Sequence, residues 1–379
     1  MEVTVDIDEE DEYGNIDEDG ETFIAESHTL ESGKVLVQVP IRYKTFGTLN
    51  DTATNCMVVC HALTGNASLD DWWGSMLGMG KLFDDTKMFI VCANVLGSCY
   101  GSCGPTSTDP VTGNVYGASF PDVTVRDTVN IHLRLVRDHL RVRKVACVVG
   151  GSFGGMQALE WAVIGGSSYV NAIIPMCCGA FHHPWQIGIS ESQRQAIYAD
   201  PAWSQGNYLS NKTPGPKNGL SVARSIAMIT YRSHRGYQRK FDRLEVHNQA
   251  AGNGQERYFQ VERYLRHQGV KFNSRFDAQS YVKVTRSMDT HDLGRAREGG
   301  VIKVLQSITQ PTFIVSVKSD ILYPPSEQEF LYRYIPLSTL FNVESDHGHD
   351  GFLLDQHSIM PAALDFLHKH VYNTLTARL

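Results

Sequence analysis

Ser152, Asp320 and His349 are the residues whose types and spacing could make a nucleophile. Ser152 stands in Gly150-Gly151-Ser152-Phe153-Gly154, a Gly-x-Ser-x-Gly pattern. A serine hydroxyl attacks poorly until a neutral imidazole takes its proton. The imidazolium so formed needs a carboxylate that fixes the ring's tautomer and opposes its charge. The oxyanion produced by attack needs two amide donors. The amide of Phe153, next after the nucleophile, is one. The loop after Cys60 supplies the other, with Leu63 the best placed. Each residue has rivals. Asp346 competes with Asp320, but lies too near His349 in sequence to arrive from a neighbouring strand. His347 competes with His349. His61 reads as a packed or loop-ordering residue, and His182, His183 and His291 as satisfied or solvated side chains.

These residues meet only if the chain places them. Five apolar residues, Val145 to Val149, run into the glycines, and a helix-competent stretch, Met156 to Trp161, follows. A continuous apolar run bounded by glycine predicts a strand buried on both faces of a parallel sheet. The serine then occupies a sharp strand-to-helix turn, where a Cβ on either flank would clash. The helix behind it directs amide hydrogens and a positive dipole end at the hydroxyl. Similar runs predict strands over 55–60, 88–93, 169–176, 311–317 and 338–343. Loose alternation from Phe23 to Lys44 predicts antiparallel strands at a sheet edge. Thr124-Val-Arg-Asp127 reads as a capping box opening a helix that runs to Leu140.

Strands alternating with helices predict an α/β fold, a mostly parallel sheet flanked by helices. Ser152, Asp320 and His349 all follow strand ends, where ligands bind in such sheets. Their chain order is that of the α/β hydrolases. The strand pattern lapses between 178 and 297. There Ser221 to Tyr231 and Tyr258 to Val270 read as helices, separated by a polar loop around Asn248 to Gln255. This predicts a helical lid over 178–297, inserted into a core of 23–177 and 298–379, behind an acidic disordered tail at 1–22.

Composition excludes several classes. Of 379 residues 42% are hydrophobic, ample for a core, yet no run is long enough to span a bilayer. No basic residue precedes an apolar stretch at the N-terminus, so no secretory signal is expected. Eleven of the 41 acidic residues fall in 1–21, leaving 30 acidic against 34 basic beyond them. The body is mildly basic, which would suit an anionic cofactor. No Lys/Arg cluster with interleaved aromatics suggests nucleic acid. The eight cysteines show neither a Cys-x-x-Cys pair nor zinc spacing, and predict reduced thiols in a cytosolic compartment. Ala377-Arg378-Leu379 resembles a peroxisomal address, with the cytosol the first choice.

Longer strings carry a family resemblance. CHALTGNASLDDWWGSMLG, GPTSTDPVTGNVYGASFP, VVGGSFGGMQALEW, SESQRQAIYADP, GLSVARSIAMITYRS, FDAQSYVKVTRSMDTHDL and HGHDGFLLD resemble the homoserine O-acetyltransferase family, over roughly residues 29–370, with RYLRHQ closest to its fungal-type members. The resemblance implies an α/β-hydrolase core, a lid that also mediates homodimerisation, and acetyl transfer from acetyl-CoA to the hydroxyl of L-homoserine, a step of methionine biosynthesis. It implies no metal and no bound cofactor. It places the nucleophile, acid and base on Ser152, Asp320 and His349. It gives Arg224 the substrate carboxylate and Asp350 the substrate amine, against bland readings as an exposed helix residue and a helix cap. Three features depart from the family: Phe153 in place of a methionine, a short loop from Gly236 to Tyr258, and the acidic N-terminus. Related branches acetylate serine or use succinyl-CoA, and an esterase or thioesterase could run on the same triad. One methylene in the acceptor is worth only ~1–3 kcal/mol of discrimination.

Overall fold

A computed structural model describes residues 20–248 and 256–376. Nearly all of the acidic segment, the polar stretch 249–255 and Ala377-Arg378-Leu379 lie outside the described residues. Glu21 and Thr22, assigned above to the tail, already belong to the first strand.

The N-terminal alternation forms the edge that its period requires. Strand β1 (Glu21–Thr29) pairs antiparallel with β2 (Val35–Phe46). Val39, Ile41 and Tyr43 of β2 face inward. The alternation slips at Gln38, whose φ is +48°, so Leu36 rather than Val37 points to the core. The apolar runs form the centre: β3 (Cys56–Cys60), β4 (Phe89–Ala93), β5 (Val145–Gly151), β6 (Ile173–Met176) and β9 (Thr312–Val317); the more polar, half-exposed β10 (Ser338–Val343) forms the far edge. The order across the sheet is β1-β2-β4-β3-β5-β6-β9-β10. From β4 to β10 every pairing is parallel. Strand β6 starts four residues later than expected, because Tyr169 still belongs to the preceding helix. Apolar clusters cover both faces of the sheet.

Helix α1 (Val125–Arg134) opens with the predicted capping box: Thr124 Oγ1 accepts from the Asp127 amide (3.1 Å), and the Asp127 carboxylate accepts from the Thr124 amide (2.9 Å). Helix α2 (Phe153–Tyr169) follows Ser152 directly. Arg126 of α1 and Arg297 both bind the buried carboxylate of Glu160 on α2, at 3.0 and 2.6 Å, which fastens the segment returning from the insertion to the core.

Between β6 and β9 lie α3 (Pro184–Tyr198), α4 (Lys217–Tyr231), α5 (His234–Phe241), α6 (Gln260–Phe272) and α7 (Ala278–Asp289). Helix α4 contains the first of the two expected from sequence; α6 matches the second except at its start, where Tyr258 and Phe259 belong to a strand. The segment Gly236 to Tyr258 is not simply the short loop that was expected. It holds most of α5 and a small antiparallel hairpin of β7 (Glu245–Asn248) with β8 (Glu256–Phe259). The insertion is therefore helical with one hairpin. After β9 come α8 (Pro325–Tyr334), and after β10 α9 (Gln356–Leu367). No helix of the described residues is long and apolar enough to cross a membrane.

Candidate active site

The nucleophile position is set by backbone strain. Ser152 has φ +57° and ψ −122°, a conformation a residue with a side chain holds only when its surroundings force it, at a cost of about 1–3 kcal/mol. Its amide donates to the Met176 carbonyl on β6 (2.8 Å), and its carbonyl accepts from the Gly155 and Met156 amides. The flanking glycines let the chain pass. A Cβ on Gly154 would stand 2.0 Å from the Cys60 carbonyl oxygen of β3, and one on Gly150 would stand 2.3 Å from the Gly154 carbonyl oxygen.

Asp320 and His349 arrive from the adjacent parallel strands β9 and β10. His349 Nδ1–H donates to Asp320 Oδ2 at 2.7 Å. Asp320 Oδ1 accepts the amides of Leu322 (2.8 Å) and Tyr323 (2.9 Å), so the carboxylate is held at both oxygens. That bond places the imidazole proton on Nδ1 and leaves Nε2 as the basic nitrogen. His349 Nε2 is buried, with no hydrogen-bond partner among the described residues. Burial alone would lower the His349 pKa. The facing Asp320 carboxylate, with Asp350 and Glu327 adding negative charge, outweighs burial, and the net shift is upward.

Ser152 and His349 share their surroundings. Ser152, Leu63, Tyr231 and Tyr323 line one narrow cleft of about 340 Å³ under the lid. The His349 ring packs against Tyr323 (5.2 Å between centroids), Tyr231 (6.0 Å) and Phe352 (5.4 Å). Phe352 in turn fills the space a Cβ on Gly151 would need. The hydroxyl and Nε2 are not hydrogen-bonded to each other, as is common before substrate tightens a site.

The two amides expected to hold an oxyanion sit on ordered backbone. Among the described residues neither the Leu63 nor the Phe153 amide is taken by a backbone carbonyl. The loop after β3 is tied from several sides. His61 Nε2 accepts from the Val95 amide (3.2 Å), so its proton is on Nδ1, which donates to the Ala62 carbonyl (2.8 Å). Burial pushes its pKa down to about 4, so the ring is neutral and orders the loop, as expected. Gln157 on α2 donates to the His61 carbonyl, and Arg275 from the lid donates to the Thr64 carbonyl (3.0 Å).

The rivals have other employment. Asp346 pairs with Arg235 and Arg239 at the surface, and His347 is exposed. His291 is buried against the Gly179 carbonyl, its pKa pushed down to about 3. His183 is exposed. His182 does line the cleft, with Asp289 at 3.2 Å from its Nδ1.

Arg224 is buried rather than exposed. Its guanidinium lies over the rings of Phe272 (5.0 Å) and Tyr231 (5.7 Å). Asp350, beside His349, is buried too and pairs with Arg232 at 3.1 Å; it makes no helix-capping bond. Sequence reasoning missed Arg232, Arg275, Gln157 and the tyrosines about His349. Arg232 sat within a quoted string with no role attached. Arg275 had no signal, since its partner Thr64 lies 211 residues away.

A family model described as the alpha/beta hydrolase fold matches residues 55–356. A protein of Salinibacter ruber named homoserine O-acetyltransferase is 47% identical over 338 residues, covering 88% of this chain and 94% of its own. A protein of the same name from Saccharomyces pastorianus is 39% identical, covering 92% of this chain and 86% of its own. Among solved structures, the homoserine O-acetyltransferase of Bacillus anthracis superposes with a TM-score of 0.82 at 23% identity, over 93% of this chain and 98% of that one, which bears on the fold.

Proposed function

Because the chain belongs to the homoserine O-acetyltransferase family of the α/β-hydrolase fold, we propose that it moves an acetyl group from acetyl-CoA to the hydroxyl of L-homoserine, with Ser152 as carrier. The observation that carries this reading is the buried Asp320–His349 pair, 2.7 Å apart, whose ring packs on Tyr231 and Tyr323, two residues that also line the cleft of the strained Ser152.

The steps balance on these residues. Ser152 Oγ attacks the thioester carbonyl as its proton passes to His349 Nε2. The oxyanion is held by the Leu63 and Phe153 amides and by the N-terminal dipole of α2. Collapse expels the CoA thiolate, which takes the proton from His349 and leaves an acetyl ester on Ser152. Homoserine follows, its carboxylate near Arg224 and its amine near Asp350. Its hydroxyl gives its proton to Nε2 and attacks the ester, and the second collapse returns the proton to Ser152 Oγ.

A two-stage transfer predicts one equivalent of free CoA thiol per active site before homoserine is added. Ser152→Ala abolishes that burst and lowers kcat on the order of 10³- to 10⁶-fold. Thiol release that waits for both substrates contradicts the acetyl-Ser152 step. Steady acetyl-CoA hydrolysis without acceptor favours an esterase, and kcat/KM for L-homoserine beside L-serine identifies the acceptor.

The reading includes a homodimer built on the lid. Val222 and Ile229, seven residues apart and so on one face of α4, are 51% and 50% exposed, and Val270 of α6 is 68% exposed. Apolar side chains this exposed on two packed helices suit a second copy of the same pair.

A further inference from the structure

Outside the cleft, a second hollow of about 690 Å³ opens beside the catalytic histidine's loop. Its walls include Arg232, Arg239 and Lys240, and three aromatic rings, Tyr237, Phe241 and Tyr264. Asp346 and His347 also line it, two and three residues before His349. On the other side the chain segment Thr230–Tyr231 lines the Ser152 cleft, and the next residue, Arg232, lines the hollow. The two cavities thus meet at one lid segment, 230–232.

The charge balance is positive. Arg232 is answered by Asp350 (3.1 Å). Asp346 pairs with Arg239 and with Arg235 beside it. Lys240 Nζ stands 4.9 Å from the Tyr264 ring centre. The source is the stretch His234-Arg-Gly-Tyr-Gln-Arg-Lys-Phe241, basic with aromatics interleaved, which the sequence reading passed over. Cations beside flat rings recognise a ligand that carries phosphates on an aromatic base.

The size of the cleft supplies the rest. The cleft at Ser152 is narrow, with no room for the nucleotide end of a thioester donor. We propose that this hollow receives the phosphorylated adenosine end of the acyl donor, so that the arm runs past Tyr231 to Ser152. This rests on the donor being acyl-CoA, as proposed above.

The test uses a probe without an acyl group. Adenosine 3′,5′-bisphosphate, titrated calorimetrically into the wild-type protein, binds saturably, weakens as salt is raised, and competes with acetyl-CoA. The variant Arg239→Gln/Lys240→Gln, both on exposed turns of α5, loses that binding. Its kcat/KM ratio for acetyl-CoA over acetyl-pantetheine, which lacks the nucleotide, falls about tenfold or more, the scale of one or two charge-assisted bonds. An equal fall for both donors, an unchanged ratio, or no binding of the bisphosphate overturns the assignment. If the wild-type protein does not transfer acetyl groups from acetyl-CoA to homoserine at all, the acetyl-transfer reading fails, and the bisphosphate titration still decides the hollow.

Discussion

At the scale of single residues, His349 is governed by opposed influences. Burial disfavours its cation, and Asp320, Asp350 and Glu327 together favour it more. In the proposed mechanism the ring must be neutral to accept the Ser152 proton. With a raised pKa it becomes cationic at a higher pH than an ordinary histidine, so activity is lost sooner as pH falls. The acid limb of kcat/KM is therefore expected above about 6.5. Asp320→Asn removes the strongest charge while burial stays. Its limb should shift below that value while the rate drops on the order of 10⁴-fold. A pH–rate series on both proteins checks the two shifts, and a limb that moves upward in the variant contradicts the electrostatic account. Ser152, Asp320 and His349 were legible in the sequence because each follows a strand with a strong apolar signal. The buried partners Arg232 and Arg275 were not, because their roles depend on contacts between distant segments.

At the scale of elements, the elbow depends on the close approach of β3 to α2. Gly154→Ala puts a methyl group into the Cys60 carbonyl, a backbone atom that cannot rotate aside. About 1–3 kcal/mol of stability is expected to go, with a larger loss in kcat, because the same shift moves the loop that carries Leu63. Urea unfolding beside steady-state kinetics measures both. Strands were readable because both their faces are apolar. Helices α3 and α7 were not, for a definite reason. Helix α3 buries Gln186, Ser190, Gln193, Arg194 and Ile197, a regular helical spacing made mostly of polar side chains. Helix α7 buries Gln279, Ser280, Thr285 and Ser287 interleaved with Tyr281, Val282, Val284 and Met288, so no separate apolar stripe stands out. A search for apolar periodicity overlooks helices that wall a polar cleft.

At the scale of the molecule, the lid closes the cleft and carries the exposed apolar stripe. Val222→Glu/Ile229→Glu should convert a dimer into a monomer, read by light scattering after size exclusion. A double variant with the mass of the wild-type protein removes α4 from the interface. Since α4 also contributes Thr230 and Tyr231 to the cleft, the monomer should show a higher KM with Ser152 still able to form its acetyl ester. The overall α/β order was legible from sequence. The hairpin β7–β8 was not, because its strands are four residues each, too short for an alternating pattern to stand out.

The large insertion falls between β6 and β9, and so separates Ser152 from both of its partners. During synthesis the elbow strand leaves the ribosome nearly two hundred residues ahead of the imidazole. A nascent chain therefore carries its serine for many seconds, at ordinary elongation rates, with no base to arm it. On the proposed mechanism, the hydroxyl stays unarmed until the last strand is threaded alongside β9 near the end of translation.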